Sequence, residues 1–195
     1  MEQAETIWTL GHSTRSIEEF IALLQHYRIE AVADVRRFPG SRRLPHFGQE
    51  ALRASLHGQG IEYLLITELG GRRRPAADSV NTAWRNTSFR GYADHTASRE
   101  FATGIERLQQ LAVQRRTTMM CAEVLWWRCH RSLVSDVLMV SGTQVMHIQD
   151  EKYIEEHPYT RPARLYQGQL TYDATRGEPL NARERSQGIQ QQMDL

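Results

Sequence analysis

Blocks of apolar positions recur along the chain, and each block carries the period of one kind of element. Ile7 to Leu10 is a short β-type run that ends at Gly11-His12-Ser13. Ser16 and Glu19 then stand three apart, the spacing of a capping box at a helix start. Ile17, Phe20, Leu23, Leu24 and Tyr27 keep helical spacing and predict a helix closed by Arg28. Ala31 to Val35 is apolar enough to be buried on both faces, as a parallel strand is.

The next stretch, Arg36 to Gly48, holds two prolines, two glycines, four arginines and His46, which predicts a loop. Gln49 to His57 reads as a short helix and Glu62 to Ile66 as a third strand. Residues 70 to 97 show no persistent period, so a long flap is expected there, with Gly70-Gly71 as its hinge. Phe101, Ile105, Leu108, Leu111 and Ala112 predict a long amphipathic helix, and Thr117 to Cys121 a fourth strand. A further helix is expected from near Cys129, burying Leu133, Val134, Val137 and Leu138 and stopping at Ser141-Gly142. Gln144 to Ile148 is the fifth strand.

Five strands alternating with helices over short connectors imply right-handed crossovers and a parallel sheet covered on both faces. The expected fold class is therefore α/β: a single three-layer α/β/α domain on a mostly parallel, doubly wound five-strand sheet. It should occupy residues 1–150. Residues 151–195 read as a C-terminal extension in which Leu165 to Tyr172 pairs around Gly168, while Ala174 to Leu195 is too polar to pack and is expected to be partly disordered.

A chain of 195 residues fits one such domain, and 40% hydrophobic with 24% charged residues is a globular composition. No apolar run approaches the ~18 residues that span a bilayer, and the N-terminus lacks a secretory pattern, so no membrane partner and a cytoplasmic location are expected. Two cysteines are too few for a disulfide framework and suit a reducing compartment. The net charge of +1 marks no general polyanion binder, yet Lys152 is the single lysine among 24 basic residues. A GC-rich genome explains that bias, and so does a use for arginine's planar fork on phosphate or carboxylate.

Ligands of open parallel sheets bind beyond the carboxyl ends of the strands. Those ends carry Gly11-His12-Ser13, Asp34-Val35-Arg36, Glu68-Leu69-Gly70-Gly71 and Cys121-Ala122-Glu123. The densest chemistry is CAEVLWWRCHR at 121–131, where Cys121, Glu123, Arg128, Cys129, His130 and Arg131 lie together. Cys129, placed at a helix start among basic side chains, is the better nucleophile candidate. Its plainer reading is a buried small side chain. The seven residues between the cysteines match no strong zinc spacing, so no metal is expected. Six residues separate Cys121 from Arg128 where a phosphatase loop needs five, which excludes that loop.

Arginines cluster as Arg36-Arg37, Arg42-Arg43 and Arg72-Arg73-Arg74 on loops near the same edge. They are candidates to hold an anion, and Phe38, Phe47, Trp84, Tyr92, Trp126 and Trp127 are candidates to stack on a base.

The segments GHS at 11–13, DVR at 34–36, PGS and PHF within 39–47, ELGG at 68–71 and CAEVLWWRCHR at 121–131 resemble the domain-of-unknown-function family 488. The resemblance runs from about Ile7 to Ile148. It implies a small α/β fold of bacterial and archaeal proteins and carries no reaction with it. Carried over to this sequence, it implies a pocket of His12, Asp34, Arg36, Cys121, Glu123, Cys129, His130 and Arg131.

Three functions are open at this level. The first is an enzyme on a phosphate-bearing or nucleotide-like substrate, with Cys121, Glu123, Cys129, His130 and His12 as catalytic candidates. Ser13, Asp34, Arg36, Arg42, Arg43 and Arg131 would bind the substrate, and no cofactor is implied. The second is a non-catalytic nucleic-acid-binding module. The third is a thiol redox switch through Cys121 and Cys129, which needs their Cα atoms within about 7 Å.

Overall fold

The computed structural model describes residues 5–40 and 43–180. Its main sheet has six strands in the order β3-β2-β4-β1-β5-β6. They are β1 (Thr6–Gly11), β2 (Ala31–Asp34), β3 (Glu62–Leu65), β4 (Thr117–Cys121), β5 (Gln144–Ile148) and β6 (Ile154–Glu156). The first five run parallel, and β6 pairs antiparallel with β5.

Each strand sends alternate side chains to opposite faces, and the two cores follow that alternation. Trp8, Leu10, Val32 and Met120 pack with Phe20, Leu23, Leu24, Leu52 and Leu56 from α1 (Ile17–His26) and α2 (Gln49–His57). Ile7, Ala31, Ala33 and Met119 pack on the other face with α3 (Thr87–Thr96), α4 (Arg99–Gln114) and α5 (Arg131–Val140). Helices thus cover both faces, and the three-layer α/β/α fold stands. The capping box at Ser16 and Glu19 is formed in both directions at the start of α1.

Several expectations change. The sheet has a sixth strand, whose three residues are too short to show a period. The segment 70–97 is not one long flap: it contains α3, which buries Gly91, Tyr92, Ala93 and His95. That face is small and polar and hides the apolar stripe by which helices are recognised. Nor does packing end near residue 150. Ala163, Tyr172 and Leu180 join the core under α3–α5, and β7 (Arg164–Tyr166) forms a second, antiparallel sheet with β8 (Gln169–Thr171) and β9 (Glu178–Pro179). The expected pairing around Gly168 is the β7–β8 hairpin, with positive φ at Gln167 and Gly168. Lastly, α5 starts at Arg131, behind a 3-10 turn at Trp126–Arg128, so Cys129 precedes the helix. The disorder expected for Ala174 to Leu195 does not hold over residues 174–180, where β9 pairs with β7 and Leu180 is buried because a short paired strand needs no apolar stripe of its own; residues 181–195 lie outside the described residues. No helix among those described is long and apolar enough to cross a membrane.

Candidate active site

Strands β2, β4 and β1 are neighbours, so their carboxyl ends open into one place. Backbone bonds run past the strands there, from His12 N to Cys121 O at 2.9 Å and from Ser13 N to Ala122 O at 2.9 Å. Gly11 lets the chain pass: a Cβ on it would lie 1.9 Å from the Glu123 carbonyl oxygen. Above these ends lies a cavity of about 680 Å³. His12, Ser13, Arg36, Arg43, Cys121, Glu123, Cys129 and His130 are among the residues that line it.

Two further candidates stand behind the wall. Asp34 is fully buried and receives the fork of Arg36, with Nε to Oδ1 at 2.8 Å and Nη2 to Oδ2 at 2.5 Å. The remaining Arg36 nitrogen donates to Phe47 O at 2.9 Å and faces His12 Nε2 at 3.4 Å. Arg36 is thus spent on its own scaffold. Arg131 is 1% exposed and lies outside the cavity lining, so it is not in reach of a bound substrate. It donates instead to Thr9 Oγ1 and to the carbonyls of Glu123 and Val124, and so fixes the loop after β4. Arg42 lies outside the described residues.

Besides Arg36, the arginines that line the cavity are Arg37, Arg43, Arg72 and Arg128. Arg43, Arg72 and Arg128 are exposed. Of the expected stacking rings, Phe47, Tyr92 and Trp126 are buried in the fold, and Phe38, 63% exposed, is the freest at the cavity.

On the floor, His130 is fixed from both sides. Its Nε2 lies 3.1 Å from Val35 O, an acceptor only, so that nitrogen carries a proton. Nδ1 then faces Cys129 Sγ at 3.6 Å. Burial raises the Cys129 thiol, but it is outweighed by the Cys121 hydrogen bond and the charges of His130 and Arg131, and the net direction is well below an ordinary cysteine. Cys121 moves well above one, because it donates to Cys129 and is itself buried. The two thiols are thus pushed in opposite directions, Cys129 down and Cys121 up, with Cys121 as the hydrogen-bond donor to Cys129. His12 is a different kind of group. Burial pulls it down to about 4, against the bond from its Nδ1 to Ser13 O and with help from Arg36, so it is neutral at pH 7.

Cys121, Cys129 and His130 bring three possible metal-ligand atoms within 4.8 Å of one another, which their spacing in sequence does not announce. Such a set suits a soft divalent ion with an open fourth position. It is also complete without one, since both ring nitrogens of His130 and both sulfurs already have partners.

Sequence reading missed the role of Gly71. A Cβ there would sit 2.8 Å from His130 Nδ1, so this glycine leaves the room that the ring occupies. Tyr92 closes the ring's surroundings at 5.0 Å. Gly71→Ala should therefore push the imidazole off Val35 and Cys129 with only about 1 kcal/mol lost from the fold. The expected result is slower alkylation of Cys129 at pH 6.5 with a nearly unchanged unfolding midpoint; unchanged alkylation would show that the ring does not set the thiol.

Neither the curated proteins nor the solved structures contain a match to this chain. The family model described as "Domain of unknown function DUF488" matches residues 16–138, which spans the ends of β2 and β4, both cysteines and His130. With more than half its length covered by that model, the chain belongs to the DUF488 family.

Proposed function

We propose that the cavity is the active site of an enzyme acting on a phosphate-bearing, nucleotide-like substrate through Cys129. The observation that carries this reading is the Cys129–His130 pair, 3.6 Å apart on the floor of a cavity rimmed by Arg43, Arg72 and Arg128. Exposed guanidinium groups hold the phosphate, and Phe38 offers a face for a ring.

The chemistry follows from the pair. Cys129 Sγ forms a bond to the electrophilic atom while the bond to the leaving group breaks, and His130 Nδ1 gives that group its proton. Water then attacks the thio-linked intermediate, returns its proton to His130, and frees the thiolate. His130 suits this role better than His12, whose Nδ1 is tied to Ser13 O and whose Nε2 faces Arg36. Glu123 is exposed at the mouth, where it can meet the leaving group.

The test is alkylation of the native protein with iodoacetamide, read by mass spectrometry, with and without a panel of nucleotides and other phosphate esters. Cys129 should label first, with a midpoint below the ~8.5 of a free cysteine, and a phosphate-bearing compound should protect it. Labelling of Cys121 first, or of neither thiol at neutral pH, would overturn the reading.

A second reading has its own support: the two sulfurs lie within 4.8 Å of each other, with Cys121 hydrogen-bonded to Cys129. Oxidation by diamide would join them, with two hydrogens passing to the reagent. Loss of two mass units and of all alkylation, reversed by dithiothreitol, is the expected mark of a switch.

A further inference from the structure

Three side chains on the cavity floor gather atoms that bind metal. Cys121 Sγ from the end of β4, Cys129 Sγ from the turn before α5 and His130 Nδ1 all lie within 4.8 Å of one another, and Cys129 Sγ is 3.6 Å from His130 Nδ1. Bonds of ~2.3 Å to sulfur and ~2.1 Å to nitrogen, opened to the tetrahedral angle, separate those two atoms by about 3.6 Å and two sulfurs by about 3.8 Å. The edge from Cys129 to His130 therefore already has the length that a zinc ion requires. Cys121 completes the triangle by moving about 1 Å at most.

The ring is held in the form that a metal needs. His130 Nε2 donates to Val35 O at 3.1 Å, which leaves Nδ1 bare and facing the Cys129 sulfur. A carbonyl on the far nitrogen is a common outer partner of a ligating histidine, because it fixes the tautomer and the ring plane. The contacts that complete the set without an ion are those its members make with one another, Cys121 to Cys129 and Cys129 to His130. An entering ion replaces these and leaves the Val35 bond intact.

Two thiolates and an imidazole select soft or borderline ions over magnesium and calcium. Among the described residues no fourth histidine, cysteine or carboxylate joins the group. All three residues line the cavity, so the fourth position falls to that space. Three protein ligands with one open position are the arrangement of a reactive metal site, where a structural one is closed by four.

We propose that Cys121, Cys129 and His130 bind one soft divalent ion of the zinc class, open to the cavity at its fourth position, and that the bound ion shuts off Cys129. Each thiol that carries a proton gives it to solvent as its sulfur binds, and no electron is transferred. The lone pair that Cys129 Sγ would direct at a substrate is then engaged by the metal, and His130 Nδ1 has none left for a proton. Ion and substrate exclude each other. The block rests on Cys129 being the nucleophile, whereas the metal site does not.

Cobalt(II) chloride, added to the full chain after reduction and chelator treatment, is the probe. One equivalent should raise the near-ultraviolet thiolate-to-cobalt band and the strong visible bands of a tetrahedral ion; zinc should erase both, and magnesium neither. Cys121→Ser, Cys129→Ser and His130→Ala should each weaken binding by more than the ~10–100-fold typical of losing an outer partner. Gly71→Ala, which shifts the ring at little cost to the fold, should weaken it within that range and provides the same reading if the ligand variants do not fold. No thiolate band in the wild type, or unchanged binding in any folded ligand variant, would overturn the site. Iodoacetamide labelling of Cys129 reads the block separately: zinc should stop it, and a chelator should restore it. Labelling at the metal-free rate with zinc bound would overturn the block. Fast labelling of the metal-free protein with no cobalt band leaves the nucleophile standing and ends the metal site. An inert Cys129 in the metal-free protein, with the cobalt band present, does the reverse.

Discussion

Lowering the pH from 7 to 4 should cost the fold on the order of 5 kcal/mol, lost through two buried histidines. Burial holds His12 down at about 4 and His147 at about 2, whereas both titrate near ~6.5 in an unfolded chain. Between these values the unfolded chain binds more protons, so stability is complete above pH ~6.5 and falls as the pH drops through that value. The His12 share is exhausted near 4, and the His147 share is still growing there. A domain of this size holds about 5–15 kcal/mol in all, so acid unfolding comes within reach of pH 4 before most carboxylates are protonated. Urea unfolding at pH 7, 6, 5 and 4 measures the slope. His12→Asn, whose amide can still donate to Ser13 O, should flatten it by about one proton. A flat profile down to pH 4.5 would mean that neither histidine is held neutral.

Cys129→Ser should remove about 99% of the iodoacetamide labelling seen at pH 6.5. The reason is the asymmetry of the pair. What remains is Cys121, a buried thiol that titrates no lower than a free cysteine, and at two units below ~8.5 only about one part in a hundred is thiolate. Cys121→Ser should behave differently, since a hydroxyl still donates to the Cys129 sulfur, and should retain most of the labelling. Cys121→Ala removes that donor and should raise the Cys129 midpoint. Any covalent substrate adduct should vanish in Cys129→Ser and persist in Cys121→Ser. Equal labelling of the two serine variants would assign no special role to Cys129.

The residues at the cavity were legible because parallel strands are short continuous apolar runs, and a ligand site follows their carboxyl ends. Ile7–Leu10, Ala31–Val35 and Thr117–Cys121 are such runs, and His12, Arg36 and Cys121 stand at or just beyond their ends. Adjacency in the sheet did the rest, because β1, β4 and β2 are neighbours. The helices that carry a wide apolar stripe, α1 and α4, were equally plain. By contrast α3 was hidden, as its buried face is Gly91, Tyr92, Ala93 and His95 and reads as loop.

Arg36 and Arg131 look alike in sequence, each a basic residue in a dense motif. Only the tertiary structure separates their roles from those of Arg43, Arg72 and Arg128. Which guanidinium meets an aspartate two residues away, which is buried at the start of α5, and which is left facing the cavity depends on side-chain packing. No local pattern encodes it. A line of buried hydrogen bonds joins Tyr172, Asp136, His157, His147, Thr9 and Arg131, and it is further still from sight. Its members are spread from Thr9 to Tyr172, and what joins them is the placing of β5 beside β1 and of the C-terminal segment against α5. Periodicity reports which face of an element is buried. Pairing of buried polar groups depends on distances of a few ångströms between elements far apart in the chain, and those are decided only when the layers close.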